Sequence, residues 1–368
     1  MIIQVEPWID NSELEQLTRV VKSTYVTEAK LTQEFENLTK NLTKSKHAIT
    51  MCNGTMALFS ALKVLNIGYG DEVIVPDMTF IATSNSVIMS GAKPIFCDIY
   101  ENTFCIDLES AEKKITNKTK AIIPVHIYGQ SADMEKVLKF AKNHNLKIIE
   151  DAAQGVGVKF NDKHVGTFGD IGILSYYGNK IITCGEGGMI LTDDDELAKK
   201  CYRLKNHGRD SKGTFKHYSI GYNFSFTEMQ AAVGIAQMKK FPKILEIKKK
   251  IHDTYLSELS DIPDFIPAYI DSRTKPVFWF TSFLTKRANE LAEYLLKNEI
   301  QTRKFFYPLH LQPCYQDSDF VGEFKNNEFP NSTSIYNMGI SLPSSYSLKQ
   351  KDQYRVICQI MKFYENRN

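Results

Sequence analysis

No apolar run in the sequence approaches the roughly 20 residues that a membrane-spanning helix needs. The strongest, around Pro276-Val277-Phe278-Trp279-Phe280, soon gives way to polar residues, so no membrane association is expected. Charge of one sign is also missing: 45 Lys and Arg stand against 43 Asp and Glu, a formal net charge of +2. That balance argues against a nucleic-acid-binding arm or tail. The Lys-rich stretch from Lys239 to Lys250 reads instead as the solvated face of a connecting helix. Cysteines are few, odd in number and scattered (Cys52, Cys97, Cys105, Cys184, Cys201, Cys314, Cys358), with no CxxC pair. Neither a disulfide framework nor a zinc ribbon is expected, and no other metal site is indicated. The opening MIIQVEPWIDNSELEQ has no basic segment followed by a sustained apolar one, so a secretion signal is not expected and a cytoplasmic location is.

What is present is ordinary globular material, 43% hydrophobic and 24% charged over 368 residues, enough for two domains or one large one. Short β-branched runs recur at 47–51, 72–76, 94–98, 121–125, 147–151, 171–176 and 188–192. Each reads as a buried strand. Between them lie helical patterns, with Thr55 to Leu65 following Asn53-Gly54, and Met134, Val137, Leu138 and Ala141 at i, i+3, i+4 and i+7. Alternating strand and helix predicts an α/β fold, a mostly parallel seven-stranded sheet covered on both faces. Beyond residue 238 the pattern changes. A smaller C-terminal α/β domain, 239–368, is expected to follow a large domain, 1–238. Its pieces are strands at 277–284 and 302–306, a helix with Leu291, Tyr294 and Leu295 on one face, and a final helix carrying Ile357, Ile360, Met361 and Tyr364.

Three places carry candidate chemistry. Met51-Cys52-Asn53-Gly54-Thr55 brings a strand into a helix through Gly-Thr, where free N–H groups and the helix dipole favour a phosphate. By itself it reads more readily as a capped helix entrance. Asp151, beside Glu150, closes the apolar strand at 147–151 and either faces the ligand crevice or caps the next helix. Lys180 lies in the loop Ser175-Tyr176-Tyr177-Gly178-Asn179-Lys180, followed by Gly185-Glu186-Gly187-Gly188. Aromatic, glycine-dense surroundings can desolvate an amine and make it nucleophilic. An anion site, a carboxylate and a reactive amine are together what pyridoxal 5'-phosphate requires for its phosphate, its pyridine nitrogen and its aldehyde.

With these residues in place, the sequence resembles the DegT/StrS-type sugar aminotransferases of pyridoxal-phosphate fold type I. The resemblance covers nearly the whole chain through CNGTMAL, GDEVIVPDMTFIATSNSV, IYGQSADM, IIEDAAQGVGVKF, VGTFGDIGILSYYGNKIITCGEGGMI, LKNHGRD, IGYNFSFTEMQAAVGIAQM and FFYPLHLQP. GNK followed by GEGGM looks closest to the GDP-perosamine synthase-like 4-aminotransferases. The resemblance implies that Lys180 carries the cofactor as a Schiff base and shuttles the substrate proton. It implies that Asp151 pairs with the pyridine nitrogen, Gln154 lies near the phenolic oxygen, and Phe80 covers one face of the ring. Gly54, Thr55 and Ser175 are implied to hold the phosphate, joined by Asn223 from a partner subunit, which makes the enzyme a homodimer with a shared site. His310 and Trp279 are implied on the substrate side.

The implied reaction moves an amino group from L-glutamate to a keto group of a nucleotide-linked sugar, for glycan biosynthesis. There are departures. Tyr25-Val26-Thr27-Glu28-Ala29 stands where the family has Trp-x-Ser/Thr followed by Gly, and the stretch from about 241 to 276 is short. Both bear on the acceptor pocket and leave open a smaller keto-sugar or a phosphorylated ketone. Rival readings are a same-fold sugar dehydratase, which Lys180 opposes because the family's dehydratases place histidine there, a non-catalytic sensor, and a plain nucleotide-binding protein.

Overall fold

The computed structural model describes residues 1–211, 213–316, 319–322, 324 and 327–365. Its central sheet has seven strands in the order His47–Met51, Gly188–Thr192, Ile171–Ser175, Lys147–Asp151, Thr119–Ile122, Glu72–Pro76, Lys93–Cys97. Gly188–Thr192 runs antiparallel to both neighbours and the other pairings are parallel. The expected α/β fold with a mostly parallel sheet is therefore what forms; the strands expected at 47–51, 72–76, 147–151 and 188–192 form over those residues, and the ends of those expected at 94–98, 121–125 and 171–176 move by one to three residues.

Strand residues alternate between two cores, as a period of two requires. Ile49, Val73, Val75, Ile149, Ile173 and Ile190 face the helices Gly54–Val64 and Ala82–Ser90. Ala48, Ile74, Ile122, Ile148, Leu174 and Leu191 face Met134–His144 and the start of Glu228–Glu258. Asp133 caps Met134–His144 by accepting the Lys136 N–H, and Asn145 ends it in the left-handed region at φ 54°. One helical expectation fails in detail: Leu138 is exposed, and Phe140 takes the buried position. The apolar face is thus rotated slightly from the one the spacing suggested.

The C-terminal elements form a second, antiparallel sheet, Ile266–Pro267, Thr281–Leu284, Gly339–Leu342, Arg303–Lys304. It packs with Ala288–Lys297 and Gln350–Glu365 around Phe283, Leu291, Leu295, Ile357 and Ile360. The strand expected from 277 is confined to Thr281–Leu284. Its first residues spend their backbone groups elsewhere: Val277 N–H donates to the Gly129 carbonyl (3.0 Å) and Trp279 N–H to the Val277 carbonyl (2.7 Å). The strand expected at 302–306 pairs only at Arg303 and Lys304. Gly339–Leu342 had no sequence signal beyond four residues opening on glycine.

Glu228–Glu258 is one helix, opened by a Thr227/Gln230 capping box. It runs through the expected boundary at 238/239, beginning against the large sheet and ending in the second core, where Ile251 and Tyr255 are buried. The N-terminus joins that second core as well, since Ile2 is buried there and bridges Ile300.

Ile173 is fully buried in the middle of the sheet. Ile173→Ala should cost about 2–5 kcal/mol, which lowers Tm by roughly 5–15 °C in a domain of this size. A thermal melt showing no decrease would mean that this face of the sheet is not close-packed.

Candidate active site

Strands His47–Met51, Glu72–Pro76, Lys147–Asp151 and Ile171–Ser175 all point the same way. Asp77, Asp151, Ser175 and Cys52-Asn53-Gly54 therefore gather at one sheet edge, the edge at which open α/β sheets bind ligands. Asn53 caps Gly54–Val64 by accepting the Met56 N–H at 2.9 Å. The N–H groups of Gly54 and Thr55 have no carbonyl within the helix to bond, and the positive end of the helix dipole lies with them. Ser175 closes this entrance from the next strand. A Cβ on Gly54 would lie 3.2 Å from the Ser175 Cβ, and one on Gly188 would lie 2.3 Å from the Asn53 carbonyl oxygen. Glycine at 54 and 188 is what lets the three segments approach.

Asp151 is 5% exposed. Its Oδ2 accepts from Thr83 Oγ1 (2.7 Å) and its Oδ1 from the Ala153 N–H (3.1 Å), while Thr83 also bonds Thr79 (2.9 Å). The carboxylate is thus oriented before any ligand arrives. Its neighbour Glu150 points to the opposite face, wholly buried, and takes the N–H groups of Gly166 (2.7 Å) and Gly169 (2.7 Å) and the His126 Nε2 (3.0 Å). Burial acting alone would raise the Glu150 pKa, but His126 and these N–H groups hold it below the usual carboxylate range. Three residues on from Asp151, Gln154 Oε1 accepts the Tyr128 N–H at 2.7 Å.

Lys180 is half-buried, its Nζ 4.2 Å from the centre of the Trp279 ring. Burial pushes the amine down to about 8; Asp151 opposes the shift and Arg303 adds to it. Trp279 is 3% exposed, donates Nε1–H to the Asn179 carbonyl (2.6 Å) and stacks on Phe280 (3.8 Å). Phe80 is 56% exposed just before Ala82–Ser90, so it is not a core aromatic at a helix start. Its ring stands 6.0 Å from Phe306, which stacks on Tyr128 at 5.3 Å. Phe80 and Gln154 are thereby linked through Phe306 and Tyr128, and Lys180 and Trp279 meet directly.

His310 lies in the short turn Leu309–Leu311 and not directly after a strand. Its Nδ1 meets Asp77 Oδ2 at 2.6 Å, its N–H donates to Asp77 Oδ1 (2.8 Å), and Ser332 Oγ bonds the same carboxylate. Asn223 is exposed, its Oδ1 accepting the Ser225 N–H. Among the described residues it makes no hydrogen bond to Gly54, Thr55 or Ser175 of its own chain. The departing segment at 25–29 is firmly tied: Thr27 bridges Thr227, Ala29 N–H donates to Glu228 Oε1 (2.8 Å), and Glu28 pairs with the buried Lys205 (3.0 Å). Thr83, Tyr128, Asp77 and Arg303 were not singled out from sequence. Only Asp77 had a signal, being a carboxylate after a parallel strand as Asp151 nearly is.

The family model for the DegT/DnrJ/EryC1/StrS aminotransferases matches residues 7–361. This chain belongs to that family. Among its curated relatives, the Vibrio cholerae GDP-perosamine synthase is 38% identical over the full length of both chains, and that of Escherichia coli O157:H7 is 37% identical over 98% of each. Among solved structures, DesV of S. venezuelae, in complex with a ketimine intermediate, superposes with a TM-score of 0.91 at 30% identity, covering 99% of each chain. The protein is a sugar aminotransferase, and membership of the family implies pyridoxal phosphate. Among the described residues no helix is long and apolar enough to cross a membrane, and no three His, Cys, Asp or Glu side chains assemble as a metal site.

The residues present fit that cofactor. The entrance at Gly54 is cradled tightly enough that a Cβ would crowd Ser175, a carboxylate is held nearly out of water, and an amine of lowered basicity lies within the electrostatic reach of that carboxylate. Gly188→Ala would push on the Asn53 carbonyl and disturb the entrance. It should weaken pyridoxal phosphate binding about tenfold or more, measured by absorbance titration, while leaving bulk helicity unchanged by circular dichroism.

Proposed function

We propose that this sugar aminotransferase takes its amino group from L-glutamate and delivers it to the 4-keto group of a nucleotide-linked 6-deoxy sugar, in a ping-pong reaction. The observation that carries the chemistry is the convergence of Lys180, Asp151 and the Gly54–Ser175 entrance on one sheet edge. Full-length identity with GDP-perosamine synthases supports a GDP-linked sugar as the acceptor.

Gly54, Thr55 and Ser175 would hold the cofactor phosphate, Asp151 its ring nitrogen, and Gln154 would lie beside its phenolic oxygen. When bound, pyridoxal phosphate supplies an aldehyde for the travelling amino group and a ring that accepts the electrons released when a substrate C–H bond breaks. The chain does the rest. Asp151, whose carboxylate is oriented by Thr83 and Ala153, would pair with the ring nitrogen and favour a proton there. Lys180, with an amine near pH 8, has a usable unprotonated fraction at neutral pH and carries the proton at Nζ. Trp279 limits water beside the Lys180 amine, Phe80 would cover one face of the ring, and His310, fixed through Nδ1, leaves Nε2 for the sugar.

The test is the absorption spectrum of the protein with pyridoxal phosphate, before and after L-glutamate is added with no acceptor present. The visible band should form and then bleach; a band that glutamate leaves unchanged would overturn the donor assignment. Lys180→Ala should lose turnover altogether. Asp151→Asn should slow the glutamate step by about a hundredfold or more with a much smaller change in cofactor affinity.

A homodimer with shared sites is part of the proposal, because Asn223 is exposed and, among the described residues, makes no hydrogen bond to Gly54, Thr55 or Ser175 of its own chain. In the segment leading to it, Phe215 and Ile220 are 88% and 86% exposed, apolar side chains that a second copy would cover. Mixing Lys180→Ala chains with Asn223→Ala chains should restore about a quarter of wild-type activity, since random pairing leaves one intact site in half of the dimers. No recovery above the parent variants would refute the sharing.

A further inference from the structure

Helix Glu228–Glu258 carries two titratable side chains on one buried face, Lys248 (5% exposed) and His252 (7% exposed), at i and i+4. Neither belongs to the site described above, and no carboxylate pairs with Lys248 among the described residues. Such groups are costly to bury without a purpose or a partner. Both act on the same short segment. Lys248 Nζ donates to the Trp279 carbonyl at 2.9 Å, and the His252 ring stacks on Phe278 at 3.7 Å and 12°. From the other side, the segment is tied to the large domain: Gly129, at φ +81°, accepts the Val277 N–H (3.0 Å) and comes so close that a Cβ there would lie 1.8 Å from the Val277 carbonyl oxygen. Trp279 then spans to the reactive loop through its Nε1–H bond to Asn179 and its ring against the Lys180 amine.

We infer that Lys248, assisted by His252, is a positioning residue that fixes Trp279 from behind and through it holds the Lys180 amine in place. Lys248 bonds a backbone carbonyl and is not among the residues proposed to hold substrate or cofactor. The carbonyl that Lys248 bonds belongs to the residue whose ring contacts the Lys180 amine. Burial pushes Lys248 down to about 7, so it donates its hydrogen bond without having to carry a full buried charge. The groups that set the Lys180 amine directly are Asp151 and Arg303; Lys248 acts by geometry.

The inference rests on the role proposed for Lys180, but its first readout does not need the cofactor. The chain has two tryptophans, Trp8 and Trp279, so in a Trp8→Phe background the emission reports Trp279 alone. That emission should change with pH in a step near 8 that Lys180→Met removes, and in a second step near 7 that Lys248→Met removes while Lys180→Met does not. Lys248→Met should also shift the midpoint or amplitude of the step near 8. It should slow formation of the visible band with pyridoxal phosphate at neutral pH about three- to tenfold, the worth of one lost hydrogen bond. Lys248→Arg, which keeps a donor, should recover most of that rate. His252→Ala serves where Lys248→Met does not fold, with the same direction and a smaller effect. Folded Lys248→Met protein with the Trp279 emission, the step near 8 and the band-formation rate all within twofold of the parent would overturn the inference. So would a His252→Ala variant equally unchanged. Both emission steps in a parent protein that forms no band with pyridoxal phosphate would instead count against the cofactor role of Lys180.

Discussion

The carboxylate of Glu150 is buried completely in the middle of the sheet, and the groups it holds reach the rest of the site. It accepts N–H groups from Gly166, Phe168 and Gly169 and a bond from His126, whose own backbone N–H donates to the Asp151 carbonyl. An ion in that position is tolerable only when it is fully hydrogen-bonded, so the loop at 166–169 and the strand end at 151 are obliged to keep their places. Because consecutive strand residues face opposite ways, fixing Glu150 on one face fixes Asp151 on the other. The bonds from Thr83 and Ala153 then set only the rotation of a carboxylate whose position is already decided.

The other half of the site depends on connections between distant parts of the chain. Lys180 comes from a loop of the large sheet, Trp279 from the entry to the small sheet, and Lys248 from the helix that spans both. Arg303 and Phe306 belong to the small sheet and its continuation, with the Arg303 guanidinium over Phe280 and the Phe306 N–H bonded to the Tyr128 hydroxyl at 2.7 Å. Movement between the two sheets would therefore alter the surroundings of the amine directly. The same arrangement lowers the basicity of Lys180, since the aromatic walls remove water and Arg303 adds like charge.

Much of the fold could be read in advance because the strands are short, apolar on both faces and separated by capped helices. The errors have local physical causes. Residues 277–280 have the composition of a strand, but their backbone groups bond Gly129 and one another, and propensity carries no information about such partners. Leu138 fits the helical spacing, yet Phe140 fills the core, because the spacing alone leaves the direction of the buried face uncertain by about one residue. In the site, Asp77 and Asp151 give similar signals as carboxylates at strand ends, although Asp77 is spent on His310 and Ser332.

The sequence by itself determined the parallel sheet, the glycine-bearing helix entrance, and the presence of a carboxylate and a lysine at strand ends, because these arise from local periodicity and from chemistry that few residue types can supply. The tertiary structure decided which carboxylate is set by Thr83 and which is taken up by His310 and Ser332, that Phe80 lies open while Trp279 is enclosed, and that Lys248 bonds the Trp279 carbonyl. Those outcomes depend on contacts between residues tens to hundreds of positions apart, and only the packing of the folded chain specifies them.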